Sequence, residues 1–213
     1  MSKEELRQIE KRITSELEPF IDGIMNKRAN YELFKQAYTD SQQRLIHAAK
    51  IAQLLARADT ETTRVTLKDV LYRLFAYVGF VESLGNTLVD IVIMLLVANG
   101  RDFHIESRHA TPRIKHVAVI KDLEDERVPL STKLNFLRKN GIKELASLID
   151  SELRNIIAHL RFEVEEDNVY IRGKPAFDVF ANSTFNLLVA VVYTFSLLWE
   201  LDRAKGLTKK KKE

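Results

Sequence analysis

The chain has 213 residues, 46% of them hydrophobic and 30% charged, with a formal net charge of +3. That length suits one generous domain, and the composition excludes a disordered chain. With no cysteine present, disulfides, thiolate metal sites and a cysteine nucleophile are excluded together.

Glycine at 7 and proline at 4 are too sparse for a sheet protein with many tight turns, so an all-α fold is expected. The near-balanced charge gives no whole-domain argument for nucleic-acid binding. Much of the excess lies in the lysines at 209–212, which read as a solvated tail. The opening residues are charged and amphipathic and lack the apolar run of a secretory signal, so a cytoplasmic location is expected.

In chain order, residues 3–17 form an amphipathic helix through Leu6, Ile9, Ile13 and Leu17, with Pro19 expected to end it. A long second helix covers about 30–57, its stripe running through Leu33, Phe34, Ala37, Leu45, Ala48, Ala49, Ala52 and Leu55. Thr66 followed by Asp69 has the form of a capping box. It opens a third helix that runs to about Ala98 and stops at Asn99-Gly100. Gly79 and Gly85 inside that helix each weaken it by roughly 1 kcal/mol relative to alanine, which predicts close packing or a kink.

Residues 101–130 carry mixed charges, Pro112 and Pro129, and read as an irregular insertion. A short helix over 131–140 is stopped by Asn140-Gly141, and a further helix is expected over 142–160. The period then changes: Phe162 and Val164, then Val169 and Ile171, flank a polar turn and predict one small β-hairpin. After Gly173 the last helix covers about 176–205. The organisation expected is a single helical domain over 1–207, with 101–130 as its insertion and 208–213 as a basic tail.

Two stretches raise a membrane question. Residues 185–201 are apolar between Asn186 and Glu200, and 89–98 are apolar after Glu82, Asn86 and Asp90 at four-residue spacing. Both fall short of the roughly 20 residues a spanning helix needs, and an amide and carboxylates on one stripe suit a protein interior better. Buried core and interface helices are the preferred reading.

Within the helix expected at 142–160, Leu153, Ile156, Ile157 and Leu160 keep the apolar period, while Arg154, Asn155 and His159 take the other side. At ~100° per residue, Asn155 and His159 stack one turn apart, whereas Arg154 and His159 differ by ~140°, so only the long arginine brings its guanidinium near the imidazole. Histidine moves protons near neutral pH. Arginine offers a rigid fork of donors for phosphate oxygens, and asparagine can orient either partner. Such a trio suits metal-free cleavage of a phosphodiester by the RNA's own 2′-hydroxyl. One trio supplies one histidine; two facing across a dimer axis supply both acid and base. Read without context, three polar residues on a helix face are ordinary solvated surface.

The stretch from Leu153 to His159 resembles the R-x4–6-H signature of the HEPN superfamily, with the polar residue that many members carry directly after the arginine. It also sits, as in that family, on a late helix followed by one more long helix. The resemblance implies a HEPN-like helical bundle that forms a homodimer with a composite cleft, acting on RNA as a metal-independent endoribonuclease without a cofactor. It further implies roles in toxin–antitoxin, phage-defence or RNA-processing systems, with an antitoxin or complex partner. By position, Arg154 would bind the scissile phosphate, His159 would act as acid or base, and Asn155 would support them. Where many toxin members carry tyrosine two residues after the histidine, this chain has Arg161, an additional phosphate contact in this reading.

Three further histidines, His104, His109 and His116, lie among Arg108, Arg113, Lys115 and Lys121. They lack the fixed helical spacing of a metal site and sit among cations, so no metal is expected there. Arg108, Arg113 and Lys115 are instead assigned to phosphate contact with RNA. His47, beside Arg44, reads as a surface residue, and Tyr193 and Trp199 as core or dimer interface. The competing reading of the whole chain is a non-catalytic helical interaction or RNA-binding protein, membrane-associated in one version.

Overall fold

The structure is a computed structural model that describes residues 2–59, 66–106, 114–125, 128–166 and 168–205. It is mostly helical. Helix α1 spans Lys3–Met25 and starts on a capping box in which Ser2 and Glu5 bond one another's backbone amides. Pro19 lies inside α1 rather than after it. Interior proline costs a helix about 3 kcal/mol, but Ile13, Leu17 and Ile24 on both sides of it are fully buried, largely against the last helix. Tertiary packing therefore overrides the expected stop.

Helix α2 covers Tyr31–Asp59, with Phe34, Ala37, Tyr38 and Leu45 in the core. The Thr66–Asp69 capping box is present with both reciprocal bonds and opens α3, Leu67–Phe80. Helix α3 runs without interruption through one π turn, Val81–Gly85, into α4, Asn86–Ala98. The two glycines of this stretch differ. A Cβ on Gly85 would lie 3.2 Å from Leu187 Cδ1 and 3.7 Å from Ile149 Cγ2, whereas Gly79 faces open space. Of the two expected alternatives, close packing is found at Gly85, and the helix widens there into a π turn, which often marks a functional site.

Every residue from 87 to 96 is buried, the signature of a central core helix. Helix α4 packs against α1, α2 and the later helices α5 (Ile120–Asp125), α6 (Leu130–Lys139) and α9 (Ala176–Lys205). It closes on Asn99, with Gly100 at a positive φ of 80°, as the sequence predicts.

The segment expected to be irregular holds a hairpin of β1 (His104–Glu106) and β2 (Ile114–His116), followed by α5. The single helix expected over 142–160 is two pieces, α7 (Glu144–Ser147) and α8 (Ser151–Ala158). Buried Leu148 and Ile149 turn the chain between them, and Asp150 accepts the Leu153 amide to restart the helix. The hairpin after α8 is β3 (Glu163–Glu165) with β4 (Asn168–Ile171), extended by a short β5 (Lys174–Pro175). Helix α9 begins and ends where expected and is covered by α1, α3, β4 and β5.

Candidate functional site

The spacing of Glu82, Asn86 and Asp90 places them on one face of the helix that runs through the π turn into α4. That face borders a cavity of about 530 Å³, closed on its other sides by α6, α8 and Arg44 of α2. Arg154 and Asn155 of α8 both line it; His159 does not.

Arg154 is held from two sides. Its Nη2 pairs with Glu82, and its Nη1 donates to Asn155 Oδ1 at 2.7 Å. Its Nε is buried and has no hydrogen-bond partner among the described residues. A buried donor left unmade costs about 1–3 kcal/mol, so the guanidinium retains one strong unsatisfied hydrogen-bonding group.

Opposite, Lys133 of α6 is buried to 2% exposure. Its Nζ lies 2.7 Å from Asp90 Oδ1 and donates to Asn86 Oδ1 at 2.9 Å. A buried ion pair of this kind generally adds little or nothing over well-packed apolar residues, because desolvating both charges offsets their attraction. Stability alone therefore does not account for a lysine here. The lining carries Arg44, Lys133 and Arg154 together with Glu82 and Asp90, and it adds the hydroxyls of Ser131 and Ser151.

Helix α8 ends one residue before His159. The Leu160 amide bonds Ile157 O at 3.0 Å and the Arg161 amide bonds Ile156 O at 2.8 Å, the two bonds of a Schellman cap. That cap places Leu160 in the left-handed region at φ 53°, with its side chain 62% exposed. Leucine there costs roughly 1–2 kcal/mol relative to glycine. The His159 amide still bonds Asn155 O at 3.1 Å, so the one-turn spacing predicted from sequence holds. Its ring, however, projects from the helix end into solvent, and no side chain among the described residues bonds it. The structure brings Arg154 and Asn155 together and leaves His159 outside their cavity.

Arg161 is exposed beside His159. Arg108, Arg113 and His109 lie outside the described residues. Lys115 stands on β2, opposite Ile105, with its side chain outside the description, as is that of His47. Lys133 is the residue that sequence reasoning missed. Its signal was present: it falls on the apolar face of α6, one turn from Leu130 and Leu137, where a lysine needs a buried partner.

Compared with protein-family models, curated proteins and solved structures, the chain matches none.

Proposed function

We propose that the chain is a metal-independent endoribonuclease of HEPN type, working as a homodimer on cytoplasmic RNA. The observation that carries this reading is the Arg154 guanidinium, clamped by Glu82 and Asn155 at a polar cavity, on a helix whose C-terminal cap is the solvent-facing His159.

In the reaction, His159 takes the proton of the RNA 2′-hydroxyl, and the 2′-oxygen attacks the adjacent phosphorus. Arg154 donates to the non-bridging oxygens as charge builds on them. The bond from phosphorus to the 5′-oxygen breaks, and that oxygen is protonated by the His159 of a second copy. The products are a 2′,3′-cyclic phosphate and a 5′-hydroxyl. Asn155 orients the guanidinium, and Arg161 adds a phosphate contact. The exposure of His159 supports this scheme, because a ring outside its own cavity is accessible to a second subunit. Helix α9 supports the dimer: Phe185, Leu188, Val192 and Trp199 are exposed at three-, four- and seven-residue spacing, a narrow apolar seam of coiled-coil type. An antitoxin or complex partner would bind this assembly.

The test is incubation of mixed RNA with the chain in EDTA. Wild type cuts and leaves cyclic phosphate ends, while Arg154→Ala and His159→Ala lose at least about two orders of magnitude in rate, the usual size of a general acid–base contribution. Abolition of cleavage by EDTA, or normal cutting by both variants, overturns the reading.

A second reading, a non-catalytic interaction protein, is favoured by one observation: Glu82 already offsets the charge on Arg154. It predicts intact RNA and partner binding that neither substitution alters.

A further inference from the structure

Away from the Arg154 cavity, the β1–β2 hairpin brings together residues that sequence spacing keeps apart. Register pairs His104 directly with His116. Asp102 lies two residues before His104, and because side chains alternate along an extended strand it shares that face. The opposite face is anchored: Phe103 and Val117 are buried, the Phe103 ring lies 4.5 Å from that of Phe136, and the Val117 amide donates to Phe103 O at 2.8 Å. The three polar side chains therefore stand on a backbone fixed from beneath.

Asp102 Oδ1 lies 2.8 Å from His116 Nδ1, Asp102 Oδ2 lies 3.5 Å from His104 Nδ1, and the two imidazole centroids are 5.7 Å apart. Taking one ligand atom from each residue, all three atoms lie within 4.8 Å of one another. The hydrogen bond from His116 holds the Asp102 carboxyl below the ordinary carboxylate range, so it is anionic at neutral pH.

We propose that Asp102, His104 and His116 form a binding site for a divalent cation of the zinc class, clasping the base of the β1–β2 hairpin. Two imidazoles and one carboxylate are the three-protein-ligand set of open zinc sites, with water at the fourth position. Zinc–ligand bonds of about 2.0–2.2 Å require the three atoms to close in, which exposed side chains on an anchored strand pair accomplish by rotation. Metal ligands bind in their deprotonated form, so affinity for the ion falls as pH is lowered. None of the three residues lines the Arg154 cavity, and the site is independent of the nuclease reading. The individual spacing of His104, His109 and His116 hides it, because its third ligand is an aspartate and its geometry arises only across strands.

The experiment uses the untagged full chain at pH 7.5, with Zn²⁺ titrated by calorimetry and Co²⁺ followed by visible absorption. One equivalent binds, and cobalt gives the absorption of a low-symmetry four-coordinate ion. His104→Gln, His116→Gln and Asp102→Asn each weaken binding at least about tenfold, the lower bound for loss even of a group that supports a ligand. His109→Gln leaves it unchanged. Circular dichroism keeps the variants comparable, since all three side chains are exposed. Failure of both ions to bind, wild-type affinity in the His104 and His116 variants, or a loss on His109→Gln equal to theirs overturns the proposal.

Discussion

Leu67–Ala98 and Ala176–Lys205 are both long and apolar enough to cross a membrane, yet 72% of the apolar window of the first is buried in the fold and only 33% of the second. Composition does not separate them; neighbours do. The first passes through the middle of the molecule as α4, with helices on every side. The second is covered on one side and leaves Phe185, Leu188, Val192 and Trp199 bare. The polar stripe of Glu82, Asn86 and Asp90 lies on the enclosed helix, where each group must be answered by another. On the open helix the unanswered residues are apolar. A polar cavity is thus lined where the fold is most constrained, and an apolar face is left open where it is least.

The largest test of that contrast is one substitution made twice. Val92→Glu puts a carboxylate into a fully enclosed position. At several kcal/mol for a buried unpaired ion, against a total stability of about 5–15 kcal/mol, the chain is expected to unfold by circular dichroism. Val192→Glu, at a position 57% exposed, shifts folding stability by no more than about 0.5 kcal/mol and, for the dimer proposed through α9, yields monomers in sedimentation. Equal damage from both would erase the distinction between the helices.

Next in size is Lys133→Met, which removes the cation buried against Asp90 and costs up to about 3–5 kcal/mol. Adding Asp90→Leu removes the carboxylate as well and restores most of the loss, because apolar replacement of both partners of a buried pair is close to neutral. Chemical denaturation reads both. A double variant no more stable than the single one would mean that the pair is not the reason for the loss.

Much of this was legible in the residues. The Thr66–Asp69 capping box, the stop at Asn99-Gly100 and the limits of α9 follow from local chemistry and are found as predicted. The passage of α1 through Pro19 was not legible, since it depends on burial of Ile13, Leu17 and Ile24 by distant segments. Nor was the break before α8, where Leu148 and Ile149 continue an apolar pattern while the backbone leaves the helix. The site divides the same way. Arg154, Asn155 and the Glu82 stripe stand out locally, but Lys133 meets Asn86 across 47 residues of sequence, and no periodicity encodes that meeting. The position of His159 was half legible: its spacing from Asn155 holds, and the Schellman cap that turns it outward depends on Leu160 accepting a conformation leucine disfavours.

That cap gives the smallest effect. Leu160→Gly relieves the left-handed strain and raises stability by about 1 kcal/mol, or roughly 2–4 °C in melting temperature for a chain of this size. A lower melting temperature would mean that the exposed leucine side chain makes a stabilising contact, as it would in an assembled dimer.

The proposed nuclease needs two motifs sharing one phosphate, and mixed dimers test that requirement most directly. Wild type and His159→Ala are co-expressed in known ratios, and RNA cleavage is measured in EDTA. If each site needs the histidine of both subunits, activity falls as the square of the wild-type fraction. Activity in simple proportion to that fraction, or no cleavage in chelator at any ratio, contradicts it.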